Sequence, residues 1–158
     1  MTARTVRRAL AGAAALVLAA ASALPAAAAP SPCYRLADIE ADQAIRYQTE
    51  LMVLSDTCNV TNYRDFTVRN RDVIVEYQKQ LIDHFRRTGA HKPEASLDQF
   101  LTQIANELSM RSGTEQRPAV CARSASFLAE AAKLDGPEFR THAAQLATEH
   151  EDSYRVCK

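Results

Sequence analysis

Residues 33–58 read CYRLADIEADQAIRYQTELMVLSDTC, with a cysteine at each end and no glycine or proline between them. Ala, Leu, Glu, Gln, Arg and Met dominate, all good helix formers. Asp38 and Glu40 lie in the early turns, where the helix dipole favours negative charge. Asp56, Thr57 and Asn59 supply turn chemistry, and Thr61 or Asn62 is placed to cap the next helix. Two adjoining stripes run along the helix. One is Ala37, Ala41, Ala44, Gln48, Leu51, Met52 and Ser55; the other is Leu36, Ile39, Gln43, Tyr47 and Leu54. A helix with two such faces belongs at the centre of a bundle.

The same helix constrains the disulfides. Its ends lie about 37 Å apart at the α-helical rise, while a disulfide needs Cα atoms within about 7 Å. Cys33 therefore does not pair with Cys58. Only Cys121 and Cys157 remain, leaving 33–157 with 58–121, or 33–121 with 58–157. The first pairing is preferred, because the closing helices then run back along the first one. A tight hairpin of the last two helices would bring Cys121 and Cys157 to one end, against both pairings. An open corner at Asp135-Gly136-Pro137, or a non-helical lead carrying Cys33, removes the conflict.

Outward from this core, residues 1–28 read as a cleaved export signal. Arg4, Arg7 and Arg8 form a positive start, Ala9 to Leu24 an apolar run, and Ala26 to Ala29 a small-residue cleavage region. The run is short, alanine-rich and broken at Pro25, which disfavours an anchor. The arginine-bearing, alanine-rich style is that of a bacterium with a GC-rich genome. Removing it takes three of the 19 basic residues and none of the 19 acidic ones, leaving a net charge of about −3. That balance argues against general binding to nucleic acid or anionic membrane. Four cysteines in an exported chain read as two bridges. No later stretch is apolar enough to span a membrane.

Residues 29–158 form one domain's worth of chain. The expected fold is all-α: a single disulfide-stapled bundle of about five helices. After the first, a second runs from Phe66 to Arg87, with Phe66, Asn70, Val73, Ile74, Tyr77, Leu81, His84 and Phe85 on one face and Gly89 closing it. A third covers about Ser96 to Arg111, with Ser96 and Gln99 as a capping box. A fourth covers about Ala119 to Leu134, with Cys121, Ala125, Leu128 and Ala132 inward. The fifth runs from Pro137 to Cys157.

Four residues are candidates for a ligand site. Arg46 and Glu50, with Gln43 and Tyr47, put polar groups in a crowded middle, where buried charge needs a partner or a task. Asn106 and Glu107, or Arg69 and Asn70, are the partners proposed for them. His84, His142 and His150 fall on or beside apolar stripes, and His84 and His142 complete the four candidates. There is no H-x-x-x-H or H-E-x-x-H, so no metal is assigned. No C-x-x-C or C-x-x-C-H occurs, so no redox centre, haem or other cofactor is assigned. Ser124 and Ser126 lack a G-x-S-x-G context. A basic strip of Arg64, Arg69, Arg71 and Lys79, with Arg86, Arg87, His91 and Lys92 at its far end, offers a surface for an acidic partner or anionic ligand, but it interleaves with Asp65, Asp72, Glu76 and Asp83 and reads as a solvated face.

The resulting expectation is an exported interaction module, of inhibitor, immunity or adaptor type, whose partner is another envelope or secreted protein. The rival is an enzyme, or a small-ligand or metal-binding protein, with a site between helices. The rival predicts a concave pocket where Arg46, Glu50 and His84 or His142 converge.

Overall fold

A computed structural model describes residues 33–158; the expected leader over residues 1–28 lies outside them. The axis is α1 (Leu36–Cys58), which touches all six other helices. Ile39, Ala41, Ala44, Ile45 and Leu51 on it are fully buried. Small residues at 41 and 44 let neighbouring backbones approach. Asn59, in the left-handed conformation at φ 56°, ends the helix.

The chain makes four passes. The first is α1. The second, α2 (Asn62–Arg69) and α3 (Arg71–Arg87), returns along it, so that Tyr77 reaches Glu40 and Gln80 reaches Asp38. The third, α4 (Pro93–Gly113), runs parallel to α1, bringing Phe100 beside Arg46. The fourth is α5 (Arg117–Arg123), α6 (Ala125–Ala131) and α7 (Gly136–Glu149), which descend together from Cys58 towards Cys33.

This corrects the expected count. The described residues hold seven α-helices and a short 3-10 turn at Glu151–Ser153, because three of the five expected helices are interrupted or shortened. The second breaks at Asn70, whose side chain donates to the Phe66 and Leu134 carbonyls. The fourth breaks at buried Ser124. The buried stripe is Val120, Ser124, Leu128 and Ala131, one helical phase on both sides of the break, so Ala125 and Ala132, expected inward, are exposed. The fifth ends at Glu149, and the tail becomes extended. Tyr34 and Val156 form a parallel bridge, with Tyr34 N donating to the Arg155 carbonyl at 2.8 Å. Helix α4 begins at Pro93, earlier than Ser96, using proline's preference for the first turn.

The bridges are Cys33–Cys157 and Cys58–Cys121. The fourth pass is a single descent with an open corner at Asp135-Gly136-Pro137, so Cys121 and Cys157 reach opposite ends of α1. Asp135 and Glu138 cap that corner reciprocally. Cys33 precedes α1 on a non-helical lead. The second-pass stripe is buried from Phe66 through His84, as its spacing requires.

Candidate functional site

Helices α4 and α7 pack on opposite flanks of α1 and share no packed interface with each other. One face of α1 between them therefore stays open as a trough. Its floor is Gln43, Arg46, Glu50 and Val53, one helical turn apart. Three clefts join end to end along it. The first, about 340 Å³, lies between Gln43, Arg46, His150 and Tyr154. The middle one, about 270 Å³, adds Tyr47, Glu50, Phe127, Glu130 and His142. The last, about 70 Å³, is bounded by Glu50, Leu108, Arg111 and Arg123.

Arg46 is held rigidly. Its Nε donates to Asp42 Oδ1 at 2.5 Å, and Asp42 is only 2% exposed. Tyr154 Oη donates to the same oxygen at 2.8 Å and accepts from Gln43 Nε2 at 2.7 Å. The guanidinium also lies over the Phe100 ring. Burial disfavours its charge, but Asp42 outweighs this and raises its pKa. Burial and then Asp42 push the Tyr154 hydroxyl up to about 12.

Glu50 is different: burial pushes its carboxyl up, against the pull of Arg111 and Arg123. Across the middle cleft, His142 Nδ1 stands 3.8 Å from Glu130 Oε1. Tyr47 packs its ring against Phe127 at 4.8 Å and His142 at 4.7 Å. Its hydroxyl is buried and has no hydrogen-bond partner among the described residues. Burial, then Glu130 and Glu50, raises its pKa.

The structure thus brings together Arg46, Glu50 and His142 of the four candidates. It does not bring His84. That ring is buried near the start of α1, stacked on Tyr34 at 4.1 Å, with Nδ1 3.3 Å from Asp38 Oδ2. Asp38 is fully buried and also receives Arg87 at 2.5 Å, Gln80 at 2.8 Å and the Arg35 amide at 2.9 Å. Burial works to raise the Asp38 pKa, but these donors, led by Arg87, lower it on balance. This node joins α1 to α3 and is spent internally.

The expected partners for the α1 polar groups are also corrected. Glu107 pairs with Arg111, and Arg69 and Asn70 cap carbonyls of the fourth pass. The residues that anchor Arg46 are Asp42 and Tyr154, and the second carboxylate of the middle cleft is Glu130. Much of the basic strip is taken up in pairs, Arg64 with Asp65 and Arg86 with Asp83 and Glu94 nearby, and Arg87 with Asp38 on α1. No group of three His, Cys, Asp or Glu stands in metal-holding geometry among the described residues. The trough holds the anchored Arg46 charge and the unpartnered Tyr47 hydroxyl beside the Phe127 ring. Comparison with protein-family models, curated proteins and solved structures gives no match.

Proposed function

We propose that this chain is an exported binding protein that holds a partner in the trough along α1, the partner being another envelope or secreted protein. The observation that carries this reading is the run of three open clefts end to end along α1, an extended surface, whereas the convergence of Arg46, Glu50 and His142 on the middle cleft is what the small-ligand rival predicts. Rigid anchoring of Arg46 on buried Asp42 supports it, since a preorganised side chain loses little freedom on binding. The two disulfides, and the lack of a helix long and apolar enough to cross a membrane among the described residues, support an extracytoplasmic setting.

Photo-crosslinking tests this. A photoreactive residue in place of Val53, in the trough, captures a discrete partner from the host's envelope or culture fluid. The same residue in place of Val68, exposed on α2, does not. Arg46→Glu lowers the yield by about fivefold or more, the effect of losing one charge-assisted contact. Equal capture from Val68, or a yield unmoved by Arg46→Glu, overturns the reading. The size of the middle cleft favours a second reading, a small-molecule occupant: about 270 Å³ approaches the lower end of ligand pockets, roughly 300 Å³.

A further inference from the structure

Resting on the reading of the trough as a binding site, we propose that its middle cleft receives an alkylammonium group between Glu50, Glu130 and the Tyr47 hydroxyl. The charge balance of the cleft points there first. Arg46 is matched by Asp42, Arg111 by Glu107 and Arg123 by Glu115. Glu50 and Glu130 face the cleft with no arginine or lysine ion-paired to them among the described residues: Arg111 and Arg123 act on Glu50 from the adjoining cleft while paired elsewhere, and the His142 ring stands 3.8 Å from Glu130.

Tyr47 is the independent observation. The residue is only 6% exposed and lines the same cleft as both carboxylates, and its hydroxyl has no hydrogen-bond partner among the described residues. A buried hydroxyl is left unpaired at a cost unless something arrives to pair it. An ammonium has three donors at one point. One suits the Tyr47 oxygen and two suit the carboxylates, while Phe127 and Leu146 offer apolar surface to the methylene stem. A guanidinium presents a flat fork, which fits a single carboxylate better than three separate acceptors.

Lysine side chains of a partner and free alkylamines share this chemistry. The test is an NMR shift titration of the disulfide-bonded protein with three probes: pentylammonium, acetyl-Gly-Lys-Gly-amide, and pentanoate as the anionic control. Both ammonium probes are expected to give saturable shifts on α1 and α7, and pentanoate none. Tighter binding of the peptide identifies a partner's lysine; equal or tighter binding of pentylammonium identifies a free amine. Glu50→Gln with Glu130→Gln weakens binding about tenfold or more, and Tyr47→Phe about threefold, in keeping with charged and neutral hydrogen bonds. Unchanged dispersion of the other amides shows that the variants are folded. No saturable shift from either ammonium at tens of millimolar (binding of ~4 kcal/mol or tighter is then excluded), equal shifts from pentanoate, or indifference to the double substitution overturns the proposal. If the ammonium probes fail while capture from Val53 persists, this inference alone falls. If they bind while Val53 captures nothing, the protein-partner reading falls and the occupant is a free amine.

Discussion

Tyr47 is where stability and binding pull in opposite directions. Its ring is a hub of the aromatic core, but its hydroxyl is buried without a partner. Tyr47→Phe keeps the ring and is expected to stabilise the fold by about 1 kcal/mol, read from urea melts. Glu50 behaves similarly. Because burial raises its carboxyl pKa, its ionisation destabilises the fold as pH rises through that value. Glu50→Gln should therefore be the more stable protein at pH 7, with the advantage shrinking towards pH 4. Asp38 has the opposite sign. Its folded pKa is lowered, so its contribution is complete above the unfolded value, ~3.9, and is lost as pH falls through the folded one. Asp38→Asn is expected to cost about 3 kcal/mol at neutral pH, and its stability should fall less steeply in acid. Arg46, Glu50 and His142 were legible as candidates because they are polar groups on apolar helical faces. Asp38 and Asp42 were not: Asp38, an acid in the first turn, reads as a solvated dipole partner, and Asp42, a turn further on, reads as one more surface charge. Their burial is decided by Arg87 and Tyr154, far away in the chain.

The helical segments were legible at the level of elements, but not all their interruptions. Gly89 and Asp135-Gly136-Pro137 mark ends by backbone chemistry that any reader of the chain can see. Asn70 and Ser124 do not. Nothing local forbids a helix through either, and the second-pass stripe keeps one phase across Asn70. The break there is sustained by a tertiary contact: the Asn70 amide donates at 3.1 Å to the Leu134 carbonyl, next to the corner before α7. Asn70→Ala removes both donations from a fully buried site and should destabilise by about 2 kcal/mol. The α3–α7 packing would loosen with it, and hydrogen exchange at the start of α7 should rise. The fifth helix was overextended for a related reason. Residues 150–157 have helical spacing, but Tyr34 offers the tail a backbone partner outside any helix.

At the scale of the molecule, the four-pass arrangement and its two bridges decide the shape of the trough. Tyr154, which steadies Asp42 and Gln43, lies three residues before Cys157. Replacing Cys33 and Cys157 by serine should cost about 3 kcal/mol and also weaken binding in the trough. Replacing Cys58 and Cys121 should cost slightly less, since the closed loop is shorter, and leave Tyr154 in place. Paired measurements of melting and ammonium affinity separate the two. The bridge between residues 33 and 157 also closes the folded chain into a covalent ring, with the second bridge as a strut across it. A ring survives a single cut. An endoprotease that nicks the exposed turn around Gly89 produces two pieces still joined at both struts, each strut linking one piece to the other. The nicked protein keeps all four passes tethered, and would come apart on a gel only after reduction. Outside a cell, where proteases are common and reductants scarce, such a molecule outlasts the integrity of its own backbone.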